Sequence, residues 1–457
     1  MKKIKKLLLW LAPLLAGLLA LILHQLGYPA PIAIVGAVTL LCALWWIFEP
    51  IPIPVTSLIP LAVFPMTGIL TPPQVAAAYG HQLILLLLGG FILSQSMAYS
   101  GAHRRIALMM VNLFGGASPR RLVMGFMAAS ALLSMWISNT ATTLMLLPVA
   151  LAILEKVDDK KLTTALLLGI AYAASVGGIG TPIGTPPNAL FLSNYQQVTE
   201  SSLSFLSWMK WSLPLLILFI PLMMLWITRN LGHTSAIEVP HPGQWTTIEK
   251  RVLIVFAVTA ILWMTRLEPF GGWSRFTGLT TANDASVALL ACVAMFIIPD
   301  GKKGRLLDWK TANKIPWGVL LLFAGGICIA KAFDASGLSQ LIGDQLAGII
   351  GLPVILLIAI VALTVTFMTE VTSNTATTAL LMPILASAAI SADIEPALLM
   401  LPAAMSASCA FMLPVATAPN AIVYGSDKIT IKQMVKNGFA LNLLGTLLIT
   451  LVCYFLI

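Results

Sequence analysis

Ser138-Asn139-Thr140-Ala141-Thr142-Thr143 returns 235 residues later as Ser373-Asn374-Thr375-Ala376-Thr377-Thr378, and both copies lie inside long apolar stretches. A polar group without a partner in such surroundings costs on the order of several kcal/mol. Two matching knots of hydroxyls and amides therefore point to one binding site built by two halves. The echo continues downstream, where Thr181 to Ala189 (TPIGTPPNA) returns as Leu413 to Ala421 (LPVATAPNA) at an offset of 232. Pro148 and Pro383 each follow the Ser of their knot by ten residues. Two differently spaced echoes in the same order mark an internal duplication, with residues 30–230 as one half and 252–457 as the other.

Over 457 residues, 59% are hydrophobic and 9% charged, with a mean hydropathy of +0.95. That balance excludes a soluble globular domain and gives an all-α polytopic membrane protein. Apolar runs at 7–23, 32–48, 208–228, 252–265, 286–299, 315–332 and 438–457 are candidate spans. The first follows four lysines and has the outline of a signal peptide, but no small-x-small site follows it, so residues 1–29 read as a first transmembrane helix. Cys42, Cys292, Cys328, Cys409 and Cys453 lie in apolar segments at unrelated spacings and indicate neither disulfides nor zinc.

The net charge of +9 is a topology signal and no sign of nucleic acid. Of 26 Lys and Arg, 22 fall in segments 1–6, 103–121, 155–161, 229–251, 301–314 and 425–437, which become cytoplasmic when the N-terminus is cytoplasmic. Only Lys210, Arg266, Arg275 and Lys331 fall on the other side. The arrangement holds only if the knot-bearing stretches turn back inside the membrane. The first, 121–155, then enters and leaves from the cytoplasm, and the second, 351–391, from outside. Two re-entrant hairpins facing each other are what an inverted repeat requires. With them go about eleven transmembrane helices, a cytoplasmic loop at 231–251 and an external C-terminus. The Gly- and Pro-rich echoes should be helices broken near the midplane, because proline removes a backbone donor and clashes with the preceding turn.

Tips and broken helices bring free N–H and C=O ends to one place, the first suited to a carboxylate and the second to a hard cation. The tips add Ser134, Ser138, Asn139 and Thr140, with Thr369, Ser373, Asn374 and Thr375 opposite. Neutral oxygens grouped in this way suit sodium, whereas transition metals would want His, Cys or carboxylate. No Lys or Arg occurs between Lys331 and Lys428, so a bound dianion needs helix ends and cations to neutralise it. Glu370 is the one conspicuous acid beside a tip; a proton site and a hydrogen-bonding role are both open to it, and its counterpart by the repeat is Met135. Glu49 precedes Pro50 and reads as a helix end at the interface.

These paired motifs, with GTPIGTPPNA and PVATAPNA after them, resemble the divalent anion/sodium symporter family (DASS, INDY-like) over nearly the whole chain. The resemblance implies a homodimer that works by an elevator-type movement of a transport part against a scaffold. It implies one sodium site at Ser134, Ser138, Asn139 and the backbone of Gly184, and another at Thr369, Ser373, Asn374 and the backbone of Ala416. The dicarboxylate would lie between Asn139, Thr140, Asn374 and Thr375, with Thr185 and Thr417 nearby. Ala416 and Ala418 depart from the first half's Gly184 and Pro186. The expectation is a bacterial inner-membrane, sodium-driven importer of C4-dicarboxylates such as succinate, malate and fumarate. A dicarboxylate or citrate exchanger of the same fold is the alternative, and a proton-coupled variant the third. No catalytic dyad or metal motif in the apolar regions speaks for an enzyme.

Overall fold

In a lipid environment every backbone N–H and C=O must be satisfied within the protein, and this chain does so with helices. The structure, a computed structural model, describes residues 2–114, 118–157, 159–232, 241–268, 270–346 and 352–457. Gly351, where the second hairpin was expected to begin, and residues 233–240 of the expected 231–251 loop lie outside them. Among the described residues the only extended pairing is an isolated bridge between Pro299 and Arg305.

Eight of the described helices are long and apolar enough to cross a bilayer, from Ile4–Gln25 to Ile431–Leu456, and further apolar helices of 10–17 residues accompany them. Each of the seven apolar runs named from the sequence is largely helical, and every helix but Trp317–Ser336 starts before its run: Lys2–Gln25, Ala30–Phe48, Phe205–Thr228, Thr247–Met264, Asp284–Ile297, Trp317–Ser336 and Ile431–Leu456. Polar caps explain several of the early starts. Thr246 and Glu249 form a capping box, as do Thr430 and Gln433, and Asn283 accepts from the Ser286 N–H.

Both knots sit at tight helix–turn–helix points. Pro119–Ser134 and Asn139–Leu154 flank the first, Val354–Met368 and Asn374–Ser391 the second. The legs of the first hairpin are 16 residues each, about 24 Å, against a hydrocarbon core of about 30 Å. The second pair has 15 and 18 residues, and its longer leg just reaches the length of a span.

The expected breaks are present. Lys160–Gly177 passes through a 3-10 turn at Gly178–Gly180 and an unwound stretch before Pro186–Thr199 begins. In the second half Ala397–Ser406 and Ala418–Tyr424 flank an unwound stretch at 407–417. The same helix order precedes both hairpins: Gln82–Ser100 ends on Gly101, and Trp317–Ser336 ends on Gly337, both glycines at positive φ. The most enclosed of the eight span-length helices is the one that begins at Lys160, where Leu166 to Leu168, Ile170 to Ala174 and Val176 are all fully buried. It packs against the first hairpin and the Phe205–Thr228 helix, and so sets the position of the first tip.

Candidate functional site

The Ser of each knot is an N-cap. Ser138 Oγ accepts from the Ala141 N–H at 3.2 Å and Ser373 Oγ from the Ala376 N–H at 3.5 Å, so each starts the returning leg of its hairpin. Four residues before each cap stands a fully buried hydroxyl. Ser134 Oγ donates to Asn139 Oδ1 at 2.6 Å and Thr369 Oγ1 donates to Asn374 Oδ1 at 2.5 Å. Both tips therefore hold their asparagine in the same way, through its amide oxygen.

The unwound segments are fastened by a second symmetric pair. Asn188 Nδ2 donates to the carbonyls of Gly178 (2.9 Å) and Thr181 (2.7 Å), and Asn420 Nδ2 to those of Ala410 (3.1 Å) and Leu413 (3.0 Å). The positions correspond at the offset of 232. Asn188 Oδ1 and Asn420 Oδ1 are both buried without a hydrogen-bond partner. Sequence reasoning passed over these two residues, although the repeated Pro-Asn-Ala was the signal that could have found them.

Tips and segments converge. Ser138, Asn139, Thr140, Gly184, Thr185, Ser373, Asn374, Thr375, Ala416 and Thr417 line one cavity of about 960 Å³. Ser134 and Thr369, both expected ligands, are buried behind the tips and touch the cavity only through the asparagines they hold. Four helices start at the cavity wall, at Asn139, Pro186, Asn374 and Ala418, and point the positive ends of their dipoles at it. None of the tip residues is basic; the cavity lining also takes in Lys5 and Lys314, with Glu49 and Pro316. Glu49 ends the Ala30–Phe48 helix at positive φ and faces Lys5 at 3.6 Å. Phe91 and Gln95, one helical turn apart on Gln82–Ser100, line the cavity as well, and neither was singled out by the sequence.

The donor set decides which ions fit. Hydroxyl, amide and carbonyl oxygens from two elements per half, with buried unpartnered amide oxygens beside them, suit a hard cation such as sodium. Among the described residues no three His, Cys, Asp or Glu side chains group to hold a metal. Glu370 does not open into this set. Both its oxygens are taken up by amide donors from residues 411–413 and Asn442. Of its two open readings the structure favours the hydrogen-bonding role.

Known proteins supply a context. Residues 43–404, which include both tips, match the citrate transporter family (CitMHS). The chain is 40% identical over 473 residues to the sodium-dependent dicarboxylate transporter SdcS of Staphylococcus aureus (strain MRSA252), covering 98% of this chain and 90% of that protein. The same transporter from the bovine strain RF122 is 39% identical over 472 residues, covering 97% and 90%. In fold, the chain resembles the Alcanivorax borkumensis YdaH transporter, whose crystal structure is described as having an unusual topology, with a TM-score of 0.58, 13% identity and coverage of 86% and 87%. With a family match that takes in both tips and relatives at 40% identity along almost its entire length, this chain belongs to the citrate transporter family, of the divalent anion/sodium symporter type.

Proposed function

We propose that this protein is a sodium-coupled symporter that imports C4-dicarboxylates such as succinate, malate and fumarate. The observation that carries the proposal is the convergence of four helix N-termini and two symmetric sets of neutral oxygens on one cavity without a basic side chain at the tips. A dianion placed there meets N–H groups and positive dipole ends, and its remaining charge calls for cations held by the adjacent oxygens. The relatives named as sodium-dependent dicarboxylate transporters support the same cargo.

In this reading Asn139, Thr140, Thr185, Asn374, Thr375 and Thr417 hold the dicarboxylate. One sodium sits with Ser134, Ser138, Asn139 and the Gly184 carbonyl, the other with Thr369, Ser373, Asn374 and the Ala416 carbonyl. Sodium orders the tips and so tightens substrate binding, which by linkage tightens sodium in return.

The hairpins at 121–155 and 351–391 are re-entrant, within inverted halves 30–230 and 252–457, and the legs short of a full span support that placement. The protein sits in the bacterial inner membrane with its N-terminus cytoplasmic and C-terminus external, and works as a homodimer by an elevator-type movement. The cavity lining takes in Lys5 and Lys314, in segments assigned to the cytoplasm, which supports reading this conformation as open inward. At the far end of Pro186–Thr199, about 20 Å away along the helix, the polar contacts Gln82–Gln196 (2.8 Å) and Gln197–Asp334 (2.9 Å) join the surrounding helices on the other side.

Labelled-succinate uptake into proteoliposomes tests the function. Uptake driven by an inward sodium gradient and not by potassium establishes symport. Uptake indifferent to sodium but dependent on internal succinate makes the protein an exchanger and removes the cation sites.

A further inference from the structure

Glu370 is 3% exposed, yet it is among the best satisfied polar groups in the protein. Its Oε1 accepts from the N–H groups of Phe411 (2.7 Å) and Met412 (2.9 Å) and from Asn442 Nδ2 (2.7 Å), and its Oε2 from those of Met412 (3.1 Å) and Leu413 (3.0 Å). Three successive main-chain N–H groups turn toward one point only where the chain leaves the helix, and such a nest takes an anion. Here the anion is the protein's own side chain. All its partners are donors and none accepts, which is the arrangement an ionised carboxylate requires.

The clamp joins three elements. Glu370 stands three residues before the Ser373 cap, and its amide partners lie three to five residues before Ala416. Asn442 adds the Ile431–Leu456 helix, which approaches so closely that a Cβ on Gly438 would lie 2.4 Å from the Phe411 backbone. The first half has Met135 at the matching place. There the unwound carbonyls take donors instead, Trp208 Nε1 to Ile179 at 2.8 Å and Ser212 Oγ to Gly180 at 3.1 Å, while Thr181 Oγ1 donates to the Met135 carbonyl.

We propose that Glu370 is a positioning residue that makes the two cation sites unequal. By tying the second tip to its unwound segment and placing a fixed negative charge behind them, it keeps the Thr369–Ser373–Asn374–Ala416 site preformed, so sodium binds there first and tightest. The Ser134–Ser138–Asn139–Gly184 site, without such a charge, is completed later and with substrate. The inference rests on the symporter reading.

The test is a titration of the detergent-purified full-length protein with sodium chloride against potassium chloride, read as thermal stabilisation, beside the sodium activation curve of succinate uptake. Wild type should show two sodium-specific phases. Glu370→Gln, which keeps the size but loses the charge and turns one acceptor of the clamp into a donor, should move the tighter phase about tenfold to higher sodium. Ser134→Ala should move only the weaker one. Should Glu370→Gln not fold, Asn442→Leu leaves the carboxylate on its three amides and should still move the tighter phase about threefold by loosening the clamp. Variants of both halves moving the same phase, or a tighter phase untouched by Glu370→Gln or Asn442→Leu, would overturn the inference while leaving symport standing. A wild type that sodium neither stabilises nor drives would instead overturn the symporter reading beneath it.

Discussion

The two helix breaks, 178–185 and 407–417, share a fastening but are braced by opposite chemistry. In each, one asparagine ties together carbonyls three residues apart. Beyond that the first is closed by glycine, since a Cβ on Gly184 would lie 2.4 Å from the Gly178 carbonyl oxygen. The second carries Ala410 and Ala416 at the matching places and is held open by Glu370. The Ser, Asn and Thr residues of the knots and the Thr185–Thr417 pair are the same on the cavity wall of both halves, Gly184–Ala416 and Pro186–Ala418 differ there, and the braces behind them differ most. A duplicated site can thus keep its ligand-facing symmetry while its supports diverge.

The largest expected effects test the symmetric part. Asn139→Ala and Asn374→Ala each remove an amide from the cavity wall, the first also stranding the Ser134 hydroxyl while Thr369 keeps the Ala407 carbonyl at 3.1 Å, so each should lower succinate uptake on the order of 100-fold. Circular dichroism and gel filtration should show both variants still folded and in the wild-type assembly. If one variant transported normally, the two tips would not contribute equally and the cavity-facing symmetry would be broken.

The next effects test the supports. Gly184→Ala puts into the first segment the methyl that Ala416 already carries in the second, and the close Gly178 backbone cannot give way to it as a side chain would. Overpacking of this kind costs about 1–3 kcal/mol, and uptake should fall about tenfold. A Gly184→Ala variant with wild-type uptake would mean that the two segments share one geometry after all. Trp208→Phe removes the shorter of two donors to the buried Ile179 carbonyl and leaves only Asn188 Nδ2 at 3.4 Å, a cost of about 1 kcal/mol that thermal unfolding in detergent would detect. Its effect on uptake should be smaller than that of Gly184→Ala, because the segment's path is kept.

Much of the site was legible before the fold, because duplication wrote it twice. The tips, the buried hydroxyls Ser134 and Thr369 and the two helix breaks all follow from local spacing, and in the structure each is where the echo puts it. The brace at Glu370 was not legible, since its partners are main-chain amides 41 to 43 residues onward and a side chain 72 residues onward. No residue type announces a backbone N–H. Trp208 and Ser212 read as ordinary packing residues of an apolar helix until their donors are seen to end on unwound carbonyls. That Lys5 and Lys314 share one cavity lining with the tips depends on how distant helices pack, which hydropathy does not encode.

The smallest expected difference separates two threonines that the echo equates. Thr185 and Thr417 each stand at the N-cap of the helix leaving an unwound segment, and both line the cavity. Thr417 Oγ1 is committed to its helix, accepting from the Asn420 N–H at 3.2 Å, while the Thr185 side chain makes no cap bond. A hydroxyl spent on a cap stabilises the fold and has less to offer a ligand. Thr417→Val should therefore lower stability by about 1 kcal/mol, seen as a lower unfolding temperature in detergent. Thr185→Val should leave that temperature nearly unchanged and raise the KM for succinate about fivefold. Equal stability losses would place a cap at Thr185 that only the bound protein reveals. Equal KM changes would show that Thr417 gives up its cap to the substrate, which would extend the symmetry of the tips to the segments behind them.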